Sequence, residues 1–166
     1  MSKRTIAVLG DTTCGLYFAI RAVQIGFSVT VYKSKQKSSL ESLVQGNLFD
    51  LLPEFKKKLA VYPIKNIEYQ SPYGNSYSIL TSNKTYTINR FQINELLLNK
   101  ALSLGVDFED KIVSNITLGN QVVLHTEDDE VPFDFLCDAE EQESQLAKMV
   151  GLSLPAHHQL YLLEGY

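Results

Sequence analysis

The sequence predicts an α/β fold with a parallel central sheet, and three observations support this. An apolar strand at residues 4–10 leads through a glycine-containing turn into an amphipathic helix. A second apolar strand at residues 28–32 follows that helix. Later in the chain, a helix at residues 91–104 again precedes a short strand, at residues 106–109. Strand, helix and strand in succession form the unit from which parallel sheets are built.

The first strand and helix follow from their apolar patterns. Residues 4–10 are mostly aliphatic with little alternation, which is typical of a strand buried on both faces. Within residues 15–26, apolar side chains recur at the helical spacing i, i+3, i+4 and i+7: Leu16, Ala19, Ile20 and Val23. Gly26 is suited to end this helix. In the second strand, Val29 and Val31 should point inward.

The remaining elements are predicted from apolar spacing and turn residues. Apolar residues at helical spacing predict a helix over residues 38–49. Strands are expected at residues 64–70, 76–81, 84–89, 112–118, 121–126 and 131–137, and a last helical segment at 143–150. Gly119 and Asn120 should form a hairpin turn. We expect one domain over residues 1–151, with a strand-rich insertion at about 61–90 and a tail at 152–166.

Composition narrows the possible functions. The chain has 166 residues and a formal net charge of −4, which gives no electrostatic support for nucleic-acid binding. The start does not resemble a signal peptide, and no apolar run reaches the ~20 residues of a membrane span. Two cysteines, Cys14 and Cys137, make neither a disulfide framework nor a metal site, so we expect free thiols and a cytoplasmic location. The three histidines show no triad order or metal-ligand spacing, and no catalytic or metal-binding residue is predicted.

The turn after the first strand is an altered dinucleotide-binding fingerprint. That fingerprint has glycine at three positions, and here they hold Gly10, Thr12 and Gly15. The middle glycine normally lets the backbone approach a pyrophosphate, so Thr12 either obstructs the ligand or donates its hydroxyl to a phosphate. An acid that accepts ribose hydroxyls normally ends the second strand, but this position holds Lys33. Lys33 and the nearby Lys35 either hold a 2′-phosphate, as in NADP-binding variants, or lie on a solvated turn.

The order of these elements resembles the FAD-binding domain of flavoprotein hydroxylases and the related geranylgeranyl-reductase-like oxidoreductases. Four stretches carry the resemblance: GDTTCGLYFAIRAVQIGFSVTVYK, INRFQINELLLNKALSLGVDFED, the strands at residues 111–126, and VPFDFLCDAEEQESQLAKMVG. The last departs from the family's Gly-Ala-Asp-Gly pattern, since Ala139 matches but Glu140 replaces the aspartate and glycines are missing on both sides. The resemblance implies a Rossmann-like FAD/NAD(P)-binding three-layer fold with a parallel sheet, a strand-rich insertion and a small antiparallel β-meander.

The resemblance also implies a cofactor and its contacts. FAD would be bound by Gly10, Thr12, Thr13, Gly15, Lys33, Arg90 and Glu140. Arg90 would either hold the phosphate side of the flavin or pair with an acid of residues 138–143. The implied function is that of an FAD-dependent oxidoreductase or monooxygenase-like domain, shortened because the family's second flavin motif and substrate domain do not follow. Two alternatives stay open: a non-catalytic binding or interaction module that has lost the flavin site, and an NADP-type nucleotide binder. A homodimer or a protein partner should cover the surface left by the missing domain.

Two spatial expectations accompany this interpretation. The Gly10–Gly15 turn and the acidic segment near residue 140 should meet at one edge of the parallel sheet, which would also bring Cys14 and Cys137 to that edge. Acidic side chains would then either surround an anionic ligand and repel it, or point to solvent: Asp11, Asp138, Glu140 and Glu141.

Overall fold

The computed structural model describes residues 3–33, 41–45, 47–59, 61–80, 85–140, 148–149 and 151, with 41–45 and 47–48 as backbone only. The helices are α1 (Thr13–Gln24), α2 (Asn47–Leu51) and α3 (Arg90–Ser103). The strands are β1 (Thr5–Leu9), β2 (Ser28–Tyr32), β3 (Glu41–Gln45), β4 (Tyr62–Pro63), β5 (Asn66–Gln70), β6 (Ser76–Leu80), β7 (Thr85–Asn89), β8 (Asp107–Glu109), β9 (Asn115–Leu118), β10 (Val122–His125), β11 (Glu130–Phe133) and β12 (Phe135–Asp138).

A four-stranded parallel sheet with the order β12-β1-β2-β8 lies at the centre, which confirms the α/β prediction. Antiparallel sheets accompany it: β11-β10-β9, β3-β7-β4 and the hairpin β5-β6. Side chains alternate along β1, with Ile6 and Val8 packing into one hydrophobic cluster and Ala7 and Leu9 into another. Both faces of the strand are therefore buried, as its unalternating apolar sequence predicted.

The two clusters place helices on one side of the parallel sheet and the β9–β11 sheet on the other. The helix-side cluster joins β1 and β2 to α1 and α3 through Leu16, Ala19, Ile20, Ile93, Leu97 and Ala101. On the opposite side, Leu9 and Tyr32 pack with Leu124 and Phe133. Gly26 (φ 102°) and Gly105 (φ 82°) follow α1 and α3, where their positive φ allows the chain to leave the helix.

The helix predicted over residues 38–49 is wrong for residues 41–45, and residues 38–40 and 46 lie outside the described residues. Glu41–Gln45 forms β3, which pairs antiparallel with β7 across Thr85–Asn89, and only the short α2 follows. The spacing of Leu40, Leu43, Val44 and Leu48 suits a helix locally, but pairing with a strand about 44 residues away decides the conformation.

The single strand predicted over residues 131–137 is two strands, β11 and β12, which belong to different sheets. Asp134 separates them, and its carboxylate accepts hydrogen bonds from the Thr5 backbone N–H (2.7 Å) and hydroxyl (3.2 Å). The hydrogen bond from the Thr5 backbone N–H has the largest effect on the pKa of Asp134. Together with the other hydrogen bonds to the carboxylate, it lowers this pKa below its usual value. The chain therefore changes sheets where it is attached to the start of β1.

The other predicted strands are present with shifted ends; for example, β9 begins at Asn115 rather than at residue 112. The hairpin turn after β9 is present, since the Gly119 N–H donates to the Gln121 carbonyl. Residues 61–90 contain β4 to β7, and several tyrosines of the β5–β6 hairpin are exposed: Tyr69, Tyr73 and Tyr77. Most of the segment 143–150 and the whole tail 152–166 lie outside the described residues. Among the described helices, none is long and apolar enough to cross a membrane.

Candidate functional site

The turn after β1 meets the segment after β12 at the carboxyl edge of the parallel sheet, as expected. β1 and β12 pair in parallel from Ile6 with Phe135 to Leu9 with Asp138. One residue further, the Ala139 N–H donates to the Leu9 carbonyl at 2.8 Å. The strand order reverses between β1 and β12, because the chain continues to β2 and β8 on one side and returns to β12 on the other. Ligands of open α/β sheets bind outside such a reversal.

Gly10 and Gly15 allow these segments to approach closely. Gly10 has φ +100°, and a Cβ there would lie 2.8 Å from the Ala139 carbonyl oxygen. A Cβ on Gly15 would lie 2.1 Å from the Gly10 carbonyl oxygen and 3.1 Å from the Ala139 Cβ. Both glycines are therefore required by contacts within the protein. These are the fingerprint glycines that make the tight turn and the close helix–strand packing.

Thr12 stands where the fingerprint has its ligand-facing glycine, and its hydroxyl makes two hydrogen bonds within the protein. The Thr12 hydroxyl accepts from the Gly15 N–H (3.2 Å) as the N-cap of α1. The same hydroxyl donates to the Ala139 carbonyl at 2.9 Å. The residue is only 9% exposed. Its hydroxyl is thus directed to Ala139 in this structure, and it occupies one of the N–H donors that an anion at the helix N-terminus would use.

Thr13 joins the N-terminus of α1 to α3. Its hydroxyl donates to Asn94 Oδ1 at 2.5 Å. Because α1 and α3 each lead into a strand of the same parallel sheet, both helices begin at its carboxyl edge. Arg90, the first residue of α3, precedes Asn94 by four residues, so it lies on the same helix face and about 6 Å further along the axis. Arg90 thus lies at the N-terminal end of α3, one turn before the residue that contacts Thr13.

Lys33 follows β2 and pairs with Asp110, which directly follows the neighbouring strand β8. Its Nζ lies 3.0 Å from Asp110 Oδ2, and its backbone N–H donates to the Glu109 carbonyl. The side chains of Lys33 and Asp110 are 45% and 82% exposed, so water screens this pair. The paired charge reduces what Lys33 could offer a 2′-phosphate. Lys35, which the NADP alternative also uses, lies outside the described residues.

Three acidic residues of the expected site, Asp11, Asp138 and Glu140, belong to the two segments that meet at this edge. Asp138 ends β12, and its carboxylate accepts from the backbone N–H of Glu140 at 3.1 Å. Asp11 lies between Gly10 and Thr12 in the turn itself. Three carboxylates are thus close in sequence to the contact between the two segments, whereas Glu141 lies outside the described residues. Their negative charge opposes a bound anion.

Sequence reasoning missed a polar chain on the β9–β11 sheet. His125 Nε2 lies 2.8 Å from Thr117 Oγ1, and His125 Nδ1 lies 3.2 Å from Glu130 Oε1. The signal available in the sequence was the pattern of exposed polar residues along these strands. Which of these residues lie side by side depends on the strand register, and the register is set only by the tertiary structure. Thr117 and Glu130 are exposed, so these two contacts of His125 link three strands across the solvent-facing side of their sheet. Within the described residues, no group of His, Cys, Asp and Glu could hold a metal ion.

Solved structures similar to this one include a halogenase, a flavin-dependent brominase and a protein solved with FAD. The halogenase PltM, solved with ethyl mercury and mercury, matches with a TM-score of 0.72 at 18% identity, over 87% of this chain and 37% of its own. The flavin-dependent brominase Bmp2 matches with a TM-score of 0.69 at 18% identity, over 91% of this chain and 41% of its own. CtdE, solved with FAD and a substrate, matches with a TM-score of 0.66 at 16% identity, over 82% of this chain and 37% of its own.

These similarities show the fold: the chain has a flavoprotein-like α/β architecture. It spans about two fifths of the length of each of these three proteins. No protein-family model matches the chain, and a search of curated proteins finds no match.

Proposed function

We propose that this chain is the dinucleotide-binding domain of an FAD-dependent oxidoreductase of the monooxygenase type, and that it binds the ADP half of FAD. The observation that carries the proposal is the close contact of Gly10 and Gly15 with Ala139. This contact sets the N-terminus of α1 at the reversal of strand order, where α/β folds bind their ligands. FAD, when bound, supplies the redox chemistry, and the protein supplies binding and orientation.

The residues at this edge suit the pyrophosphate in two respects. The backbone N–H groups of Thr13 and Cys14 lie in the first turn of α1, where no carbonyl one turn earlier can accept from them. Such N–H groups and the helix dipole favour an anion. Arg90 starts α3 about one turn beyond the Thr13–Asn94 hydrogen bond, which allows a guanidinium to reach the same anion.

A second candidate function is a binding or interaction module that keeps this fold without a flavin. One observation favours it: Thr12 fills the ligand-facing position of the turn, and its hydroxyl caps Gly15 and binds Ala139. The acids Asp11, Asp138 and Glu140 add repulsion for a pyrophosphate. Under this alternative, the internal hydrogen bonds of Thr12 replace those that a phosphate would make.

Direct binding of FAD to the purified chain separates the two functions. Quenching of flavin fluorescence should report binding, and FAD at 100 times its Kd should stabilise the fold by about 2.7 kcal/mol. For a domain of this size, that corresponds to a rise in Tm of roughly 5–11 °C. Arg90→Met should weaken binding. Arg21→Met is the matched control, because Arg21 lies in the last turn of α1 and binds Gln24.

Thr12→Gly identifies the cause if binding fails. A wild-type chain that neither quenches FAD nor gains stability from it refutes the proposal and supports the second candidate. If Thr12→Gly then binds FAD, the loss is due to the Thr12 side chain. If wild type binds and Arg90→Met binds equally well, the assignment of Arg90 is wrong while the FAD proposal holds.

A further inference from the structure

The chain has two cysteines, separated by 123 positions in the sequence, and the fold brings them to the same corner. Cys14 is the second residue of α1, and its side chain is exposed. Cys137 lies in β12, pairs with Val8 of β1 and is partly buried. Both are free thiols in this structure. Neither has a part in the proposed binding of FAD through its side chain.

The contacts around Ala139 connect the two cysteines. Cys137 and Ala139 both pack against the helix-side cluster, as residues two apart on an extended segment should. The Ala139 Cβ lies 3.1 Å from the position of a Cβ on Gly15, and Gly15 directly follows Cys14. Thr12 lies two residues before Cys14, and its hydroxyl donates to the Ala139 carbonyl at 2.9 Å. The first turn of α1, which contains Cys14, therefore lies against the segment that follows Cys137 at the end of β12.

The electrostatic environment agrees with this proximity. Burial, then the charge of Asp138, then that of Cys14 raise the pKa of the Cys137 thiol above its usual value. The two thiols also differ in access, because Cys14 faces solvent and Cys137 is half-buried.

We propose that Cys14 and Cys137 form a dithiol site that a small-molecule disulfide of the glutathione type converts to an intramolecular disulfide. The Cys14 thiolate attacks the small disulfide, forms a mixed disulfide and expels one thiolate. The Cys137 thiolate then attacks the Cys14 sulfur and expels the second thiolate. Two electrons pass from the cysteines to the small disulfide, and the two protons of the protein thiols end on the two small thiols released. The product ties the first turn of α1 to the end of β12.

Glutathione disulfide tests the site in the full chain. The reduced protein is exposed to it, quenched with a maleimide under denaturing conditions and digested for peptide mass spectrometry. We expect both thiols to be lost together, with the Cys14 and Cys137 peptides linked in a monomeric chain. Cys14→Ser and Cys137→Ser should each end as a glutathione adduct without a cross-link, and the Cys14→Ser adduct should form more slowly because Cys137 is half-buried.

A trivalent arsenical such as phenylarsine oxide supplies a second measurement, because it bridges two neighbouring thiols. It should protect wild type from the maleimide at concentrations that leave both single variants reactive. Closure of the mixed disulfide should also accelerate as pH rises toward the raised pKa of Cys137, since the thiolate is the attacking form. A wild-type chain that collects two glutathiones, or forms only intermolecular disulfides, overturns the proposal. These outcomes do not depend on whether FAD binds.

Discussion

Replacing Gly10 by alanine tests the contact on which the site depends, and Gly26 provides a matched control. The two glycines have nearly the same φ, +100° and +102°. A Cβ on Gly10 would lie 2.8 Å from the Ala139 carbonyl oxygen, whereas a Cβ on Gly26 would meet nothing within 4 Å. The difference between the two variants therefore isolates the steric overlap at the sheet edge from the backbone strain that they share.

The expected magnitudes follow from these distances. Alanine at positive φ costs about 1–2 kcal/mol, which is the whole expected effect of Gly26→Ala. Gly10→Ala should cost roughly 1–3 kcal/mol more, because backbone atoms of Ala139 must move to admit the methyl group. Gly15→Ala should destabilise by about 3 kcal/mol or more, since its Cβ would lie 2.1 Å from the Gly10 carbonyl oxygen.

Urea unfolding measures these free energies. The chain has nine tyrosines and no tryptophan, so far-UV circular dichroism and tyrosine fluorescence are the natural probes. The two probes should give coincident transitions for each variant before the free energies are compared. If Gly10→Ala and Gly26→Ala differ by less than about 0.5 kcal/mol, which is within the range of an ordinary surface substitution, the contact between the β1 turn and Ala139 is refuted.

Three further predictions concern polar contacts: those of Thr12 and Lys33 at the carboxyl edge of the sheet, and that of Asp134 at the start of β1. Thr12→Val should lower the free energy of unfolding by about 2 kcal/mol, because it removes an N-cap and a second hydrogen bond; Thr12→Ser should restore most of it. The hydrogen bonds to Asp134 lower the pKa of its carboxylate, so the stability it contributes is present above the ordinary carboxyl pKa and is lost as pH falls through the lowered value. Asp134→Asn should therefore lower the free energy of unfolding in urea more at pH 6 than at pH 3. An equal loss at both pH values would contradict this. Lys33→Met should cost about 0.2–1 kcal/mol at low salt and less at 0.5 M salt, because its pair with Asp110 is exposed; a larger, salt-independent loss would contradict the assignment.

Local patterns in the sequence were sufficient for much of the parallel sheet. β1, α1 and β2 lie where the aliphatic runs and the helical spacing of Leu16 to Val23 predicted, because each pattern matches the period of one element. Gly10 and Gly15 were also recognisable as turn and packing glycines from their spacing. The meeting of the β1 turn with the segment near residue 140 was predicted through the family resemblance rather than from local pattern.

Local pattern failed where distant pairing competed with it. The apolar spacing around Leu43 is as compatible with a helix as with a strand, and only the ladder with β7 decides for β3. Asp134 reads as one polar residue in an apolar run, yet its bonds to Thr5 divide that run between two sheets. In both cases the deciding hydrogen bonds join residues far apart in the chain, which no local window contains.

The sequence by itself determined the βαβ elements, their buried faces and the positions of the glycines, because period and backbone freedom are local properties of a chain. The tertiary structure alone decided the partners of the polar side chains: Thr12 with Ala139, Thr13 with Asn94 and Lys33 with Asp110. A hydrogen bond or an ion pair depends on separations of about 3 Å, and such separations between distant residues exist only once the whole sheet edge has assembled.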